Sequence, residues 1–251
     1  MRRPSMARRF LAGLILGTLA LSAGPTLAQG QLQVRVSAIQ TGGFPQIDLF
    51  LSVFDGSGRR VPALPGSAFT VLEDELPVTP EQIEETLVGT RQVFVLDTSA
   101  GLGLRDSHGR SRFDFIRAAL LAWWRSPAAS LHAADDLTLV TSDGVLVDHS
   151  RSAAELAAAL TVYEPTLSDR NPDLDALFQG LTFAADHGPR TGMPAVVVFV
   201  TAGSSELAPA ALENALGRAK DSQIVVHVVM AGGSGALGAN PLLLLAQETG
   251  G

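Results

Sequence analysis

The sequence predicts an α/β fold, in which a doubly wound, mostly parallel sheet with helices on both faces follows a small β-rich unit. Three observations lead to this prediction. Runs such as AVVVFV are apolar throughout, which is typical of strands buried on both faces of a sheet. These runs alternate along the chain with segments of helical periodicity. Upstream of them, short stretches alternate apolar and polar residues, which indicates half-buried strands.

The first 28 residues are interpreted as a signal peptide. Four arginines precede or flank the start of an apolar run, LAGLILGTLALSAG, which is too short to span a bilayer comfortably. Small residues in PTLAQG then offer a cleavage site after Ala28. Cleavage there lowers the formal net charge from −7 to −11, because the segment holds four arginines and no acidic residue. An uncleaved membrane anchor is the alternative.

Residues 29–90 are predicted to form the β-rich unit. QLQVRVSA, QIDLFLSVFD and AFTVLEDELPV show strand patterns, and DGSGRR separates the second from the third as a turn. Glu73 and Asp74 are expected at a hairpin tip. The stretch TPEQIEETLVGT then leads to the next domain as a linker.

Residues 91–251 alternate strands and helices. The predicted strands are QVFVLDT, DDLTLVTS, GVLVDHS, PAVVVFVTAG and QIVVHVVMAGG, with a hairpin at Asp143-Gly144. The predicted helices are RFDFIRAALLAWWRS, SAAELAAALTVY, DLDALFQGLTFAAD, APAALENALGRAKD and PLLLLAQETGG. Ser152 and Glu155 stand in capping-box relation, and Pro209 suits a first helical turn. The domain is expected to continue beyond Gly251, because no closing strand or helix follows.

Composition excludes several kinds of function. The chain has no cysteine, so disulfides, thiolate nucleophiles and Cys-ligated zinc are impossible. An acidic surface repels phosphate backbones, so no nucleic-acid partner is expected. The five histidines show no metal-ligand spacing, and His227 is expected in the core of its strand. No nucleophile motif occurs, so no enzymatic activity is predicted.

The order VFVLDTSAG, FIRAALLAWW, DDLTLVTSDG, AVVVFVTAGSS, IVVHVVMAGG and LAQETGG resembles the von Willebrand factor type A (VWA) domain across residues 91–251. The upstream FPQIDLFLSVFDGSG and AFTVLEDELPV resemble the β-rich segment that precedes such domains in exported bacterial proteins. The resemblance implies a Rossmann-like sheet and, before it, an Ig-like unit.

In the VWA family a metal-ion-dependent adhesion site (MIDAS) lies at the carboxyl edge of the sheet. It uses an Asp-x-Ser-x-Ser turn, a Thr from a later loop and an Asp after the central strand. By resemblance, Asp97 and Ser99 match the first two positions. Gly101, Asn171-Pro172 and Ala202 stand where the second Ser, the Thr and the last Asp are expected. The resemblance therefore implies a degenerate site.

Two interpretations of this site stay open. Mg²⁺ takes about six oxygen ligands, so Asp97 and Ser99 alone leave it nearly fully hydrated, which favours a metal-independent domain. Alternatively, substitute oxygens from the same loops complete a magnesium site. Besides these two residual ligands, the predicted ligand edge consists of Thr98, Ala100, Gly101, Asp169, Asn171, Asp173, Ala202, Ser204 and Ser205.

The resemblance implies a non-enzymatic protein that mediates protein–protein interaction or adhesion at the cell envelope. Export would place it in the periplasm, at the cell surface or outside the cell. No cofactor is expected unless substitute ligands hold Mg²⁺, and partners are expected to be proteins. The polar insert LRDSHGRSR after the Asp97 turn is where partner contacts are expected. Membrane contact is expected only through the N-terminal segment or a region after Gly251. A scaffold domain within a longer membrane-tethered protein is the alternative.

Overall fold

The computed structural model describes residues 32–126, 133–167, 174–186, 190–202, 208–231 and 241–251. The predicted signal peptide lies outside this part of the chain. The strands are β1 (Gln33–Gln40), β2 (Asp48–Phe54), β3 (Val71–Glu73), β4 (Leu76–Val78), β5 (Arg91–Leu96), β6 (Asp136–Thr141), β7 (Gly144–Ser150), β8 (Ala195–Thr201) and β9 (Val225–Met230). The helices are α1 (Arg112–Trp124), α2 (Ala153–Val162), α3 (Asp175–Ala185), α4 (Pro209–Asp221) and α5 (Pro241–Thr249).

Strands β5 to β9 form one five-stranded sheet in the order β7-β6-β5-β8-β9. Central strand β5 pairs in parallel with both β6 and β8, and β8 pairs in parallel with β9. Edge strand β7 runs antiparallel to β6 after the turn at Asp143 and Gly144, so the hairpin prediction is confirmed. The α/β fold with a mostly parallel sheet is likewise confirmed.

Central strand β5 builds a core on each face of the sheet, because successive side chains of a strand point to opposite faces. Val93 and Val95 are fully buried in a cluster with side chains of α3, α4 and α5. Phe94 and Leu96 are fully buried in a second cluster with side chains of α1 and α2. The sequence run VFVL is therefore apolar throughout since both of its faces are covered.

Aromatic residues at the end of α1 pack on the second of these cores. Trp124 is buried and Trp123 is partly exposed, as the helical spacing predicts for Trp124. Both indole rings meet Phe94 edge-to-face, with ring centroids 5.2 and 5.6 Å away. Trp123 thus contributes to packing.

Helix starts agree with the sequence prediction in one case and differ in another. Pro209 occupies the first turn of α4, as predicted. The predicted capping box of Ser152 and Glu155 is wrong, because the Ser152 side chain makes no cap and Glu155 accepts a hydrogen bond from Ser150 Oγ at 2.6 Å. A capping box does form at α1, where Ser111 and Asp114 bond reciprocally.

The expectation of a core histidine in β9 is also wrong. His227 is exposed although its strand is mostly apolar. Strand β9 lies at one edge of the sheet, and β7 lies at the other. The side chains of β9 are therefore less covered than those of β5 or β8. An apolar run alone does not distinguish an edge strand from a central one.

The N-terminal unit consists of two separate two-stranded antiparallel sheets, β1-β2 and β3-β4. It is β-rich as predicted, but simpler than the Ig-like unit that the resemblance implies. Within residues 32–90, Val53 is the one buried apolar residue, because two such ribbons cannot close a sandwich. The β3-β4 tip lies at Asp74 and Glu75, both with positive φ, one residue later than predicted.

None of the helices in the described part of the chain combines the length and the hydrophobicity needed to cross a bilayer. The boundary between residues 29–90 and residues 91–251 stays a prediction.

Two glycines in helices provide a matched test of the packing between α3 and β5. A Cβ at Gly180 would lie 2.2 Å from Cγ2 of Val95, whereas a Cβ at Gly217 of α4 would meet nothing within 4 Å. We expect Gly180→Ala to lower the free energy of unfolding by about 1–3 kcal/mol through overpacking. Gly217→Ala should raise it by up to about 1 kcal/mol through helix propensity. Urea denaturation measures both, and a stabilised Gly180→Ala variant would contradict the described packing.

Candidate functional site

The candidate site lies where β5, β6 and β8 end, at the carboxyl edge of the sheet. Backbone hydrogen bonds continue the sheet past the named strands: the Asp97 N–H donates to the Val200 carbonyl at 2.9 Å, and the Ser142 N–H donates to the Leu96 carbonyl at 3.1 Å. The segments that follow three neighbouring strands therefore begin side by side. Ligands of open α/β sheets bind outside this edge.

The Asp97 carboxylate is buried, with 2% of the residue exposed. Oδ1 accepts a hydrogen bond from the Ser99 N–H at 3.2 Å. Oδ2 accepts hydrogen bonds from Ser99 Oγ at 3.1 Å and from Thr201 Oγ1 at 2.6 Å. A buried carboxylate needs such donors, since an unsatisfied charge in the interior costs several kcal/mol. The carboxylate thus holds its own turn and joins it to the end of β8.

Thr201 belongs to this arrangement although the predicted site omits it. The family pattern draws attention to the position after Thr201, where an Asp is expected. The hydroxyl of Thr201 instead reaches across to Asp97, over 104 positions along the chain. Parallel pairing of β5 with β8 is the feature that could have identified it, because this pairing places the ends of the two strands together.

A second polar group borders the Asp97 turn on the β6 side. The Thr98 N–H donates to Ser142 Oγ at 3.0 Å. Beside it, the Tyr163 hydroxyl donates to Asp143 Oδ2 at 2.5 Å, and the Thr166 N–H donates to the same oxygen at 3.2 Å. These contacts tie the segment after α2 to the β6-β7 turn.

The environment of Tyr163 keeps its phenol protonated. Burial raises the pKa of Tyr163 to about 12, and the hydrogen bond to Asp143 acts in the same direction. The neighbouring hydroxyls of Thr141 and Thr98 oppose this shift in pKa. Tyr163 is therefore a hydrogen-bond donor over the whole neutral pH range, which suits a structural tether.

Gly101 and Ala202 lie against each other at the centre of the site. A Cβ added to Gly101 would come within 2.6 Å of the Ala202 Cβ, so a serine cannot be accommodated at position 101 without a shift. These are two of the positions at which the VWA pattern requires oxygen ligands. In their place the turn after β5 packs directly on the loop after β8.

The described residues do not fit a magnesium site. The oxygens that the described hydrogen bonds bring together at Asp97 are its own carboxylate and the hydroxyls of Ser99 and Thr201, whereas Mg²⁺ takes about six oxygens in a tight octahedron. Nowhere in the described ranges do three or more His, Asp or Glu side chains gather as a metal would require. The remaining predicted residues, Asp169, Asn171, Asp173, Ser204 and Ser205, lie outside the described residues.

A well-formed hairpin borders the site on its outer side. Asp106 Oδ1 accepts hydrogen bonds from the N–H groups of His108 and Arg110, at 2.8 and 2.9 Å. An isolated bridge pairs Arg105 with Ser111. The polar insert LRDSHGRSR is therefore a hairpin that leads into α1.

The surface of this hairpin combines apolar and basic side chains. Leu104 is 55% exposed, and the Arg110 guanidinium lies 4.2 Å from the ring centroid of the exposed Phe115. Residues 104–112 contain three arginines, Arg105, Arg110 and Arg112, and one aspartate, Asp106. This segment is therefore basic, although the chain as a whole has a formal net charge of −7. Ala100, on the adjoining turn, is also exposed.

No protein-family model and no curated protein sequence matches this chain. Several solved structures resemble it. BatB of Bacteroides thetaiotaomicron, described as a conserved hypothetical protein, is 18% identical with a TM-score of 0.45, and the match covers 57% of this chain and 66% of BatB. An aerotolerance-related membrane protein of Bacteroides fragilis is 16% identical with a TM-score of 0.48, covering 64% of this chain and 86% of that one.

A third similar structure is described as the SpRpn10 VWA domain. It is 13% identical with a TM-score of 0.49, and the match covers 64% of this chain and 82% of that domain. At TM-scores below 0.5, these likenesses do not bear on function.

The bond between Thr201 and Asp97 can be tested with two substitutions. Thr201→Val keeps the shape of the side chain but removes a donor from a buried carboxylate, so we expect it to lower the free energy of unfolding by about 1–3 kcal/mol. Thr201→Ser keeps the hydroxyl and should retain most of the stability. Urea denaturation measures both variants. A loss of stability in Thr201→Ser with none in Thr201→Val would show that the methyl group, and not the hydroxyl, matters.

Proposed function

We propose that this chain is an exported, non-enzymatic protein of the VWA type that mediates protein–protein interaction or adhesion at the cell envelope without a bound metal. The observation that carries the proposal is the direct contact of Gly101 with Ala202 beside an Asp97 carboxylate engaged by three neutral donors. Export is supported by the arginine-flanked apolar leader in residues 1–28.

Metal independence is supported by charge and space at the carboxyl edge. Asp97 is the single acidic side chain among the described residues of the degenerate site, and one carboxylate gives Mg²⁺ little advantage over water. Hydroxyls of Ser99 and Thr201 point their protons at this carboxylate, which satisfies it without an ion. Contacts with a partner are then hydrogen bonds and shape complementarity.

The contact surface that we propose consists of Ala100 and the hairpin of residues 104–112. Arginine and aromatic side chains are enriched among residues that dominate interface energies, and the Arg110–Phe115 stack holds both in place before binding. The excess of arginine favours a partner with an acidic surface, since complementary charges speed and orient association.

A non-enzymatic role is supported by how the candidate acid is placed. Asp97 is buried and bonded on both oxygens, so it is not available to take a proton from a substrate. Tyr163, another titratable side chain near the site, has its pKa raised to about 12 by burial and stays protonated. General acid–base catalysis needs a group whose pKa lies near the working pH.

Titration calorimetry with Mg²⁺ and Mn²⁺ tests metal independence. We expect no saturable binding stronger than about 1 mM, the weak end of the range of extracellular cation modules. Micromolar binding that disappears in Asp97→Ala and weakens in Ser99→Ala would establish the alternative, a magnesium-dependent adhesion domain with substitute ligands. Thermal unfolding of each variant shows whether a loss of binding reflects a loss of fold.

Site-specific photo-cross-linking in cells tests the interaction surface. We expect a photoreactive amino acid at Leu104 to capture a partner protein, equally with and without a chelator. The same group at Asp148, which is exposed at the opposite edge of the sheet, serves as the matched control. Arg110→Glu should abolish capture from position 104 by removing the stacked cation. Capture that is equal from positions 104 and 148, or that requires Mg²⁺, would contradict the proposal.

A further inference from the structure

The β1-β2 ribbon sorts its side chains onto two different faces. Paired residues of antiparallel strands lie on the same face, and Val34 pairs with Val53, Val36 with Leu51 and Ile39 with Leu49. A shift of register between Val36 and Ala38 marks a β-bulge. Strict alternation along the strand would place Ile39 on the face opposite to Val34 and Val36. The extra residue of the bulge returns Ile39 to the same face.

One face of the ribbon is held by the α/β domain. Phe50 lies on this face, and its ring sits so close to Gly192 that a Cβ there would come within 2.5 Å of it. Gln40 Nε2, on the same face, donates to Thr191 Oγ1 at 2.7 Å. The ribbon is thus anchored just ahead of β8.

The opposite face, here called the aliphatic face, consists of Val34, Val36, Ile39, Leu49 and Leu51, with Val53 at its covered end. The five are exposed, and Val34 and Ile39 reach 59% and 61%. The cross-strand pairs on this face are aliphatic throughout: Val34 with Val53, Val36 with Leu51 and Ile39 with Leu49. At the turn between the strands, Phe44 and Ile47 are exposed as well. Contiguous apolar surfaces of this kind mark interaction sites on soluble proteins.

We propose that the aliphatic face is the interface of a homodimer, in which the ribbons of two copies stack face to face as a four-stranded sandwich. A two-stranded ribbon alone is marginally stable in water. Covering its second face buries more apolar surface and so stabilises the ribbon. An uncharged aliphatic surface fits another of the same kind, and a second copy provides it through a two-fold axis.

Charge also favours a second copy. The chain as a whole is acidic, so most of its surface repels another copy. Residues Gln33–Phe54 carry one arginine and one aspartate, Arg35 and Asp48, and are neutral overall. Two copies can therefore approach through their ribbons without net repulsion.

The size of the aliphatic face limits the expected affinity of the dimer. Standard interfaces bury about 800 Å² on each partner, and five partly exposed aliphatic side chains with two at the turn reach at most that range. The interface carries no polar contacts to add specificity. The dimer is therefore reversible and dissociates on dilution.

Sedimentation velocity over a dilution series tests whether the protein forms a dimer. The sample is protein recovered after export, and mass spectrometry identifies its N-terminus. This step ensures that an uncleaved apolar leader does not itself cause association. The wild-type protein should shift from monomer to dimer with increasing concentration. Ile39→Glu should remain monomeric, because it places a charge in each half of the apolar interface. Val162→Glu, at an aliphatic residue 78% exposed on α2, is the matched control and should dimerise like the wild type.

Cross-linking gives a second measurement if Ile39→Glu fails to fold. The chain has no cysteine, so Val36→Cys and Val162→Cys each introduce a single thiol. Packed sheets lie about 10 Å apart, so a short bis-maleimide should link two copies through position 36 and not through position 162. A wild-type monomer at every concentration, or a dimer that persists in Ile39→Glu, would overturn the proposal. In the first case the face is left to another segment of the chain or to a different protein.

Discussion

The hydrogen bond from Thr201 to Asp97 fixes the carboxyl edge of this protein. Asp97 ends a strand that is buried on both faces, so its charge has little access to water. A carboxylate in that position is tolerated only with donors around it, and Ser99 and Thr201 supply them. The same bonds join the turn after β5 to the end of β8. The hydrogen bonds that stabilise the Asp97 charge are therefore the same ones that align the ends of β5 and β8.

Under the proposed metal-independent function, this requirement explains how the acidic turn at Asp97 is kept. Three bonds to Asp97 come from the neutral groups of Ser99 and Thr201, and they hold the turn in place. Gly101 and Ala202 then pack together where further oxygen ligands would stand. The two positions depend on each other, because a serine at 101 collides with the Ala202 methyl group. A serine at position 101 would therefore need an accompanying change at Ala202, so the effects of the two substitutions on stability would be non-additive.

Sequence patterns predicted the elements better than their partners. The apolar runs of β5 and β8 and the position of Pro209 follow from local periodicity and steric rules, and the structure agrees with them. The roles of Glu155 and His227 depend on what lies nearby in space: Glu155 bonds to Ser150, and His227 stands on an outermost strand. Periodicity does not contain that information.

At the candidate site the same distinction applies. The spacing after β5 located Asp97 and Ser99 at the correct edge, because strand ends are visible in sequence. The donor role of Thr201 and the contact of Gly101 with Ala202 arise from the pairing of β5 with β8, which a single sequence does not reveal. The sequence thus shows which positions differ from the family pattern, whereas only the fold shows what the residues at those positions contact.

The two proposed surfaces lie at opposite edges of the sheet. The β1-β2 ribbon is anchored at Thr191 and Gly192, just before β8 begins, whereas the hairpin of residues 104–112 adjoins the end of β5. A dimer through the ribbons therefore leaves both hairpins free. A dimer carries two copies of the hairpin surface. When a partner presents repeated sites, such bivalent binding exceeds the affinity of a single contact by about 10²–10⁴. Under the proposed metal-independent function, dimerisation would then offset the affinity that an ion-bridged carboxylate would otherwise supply.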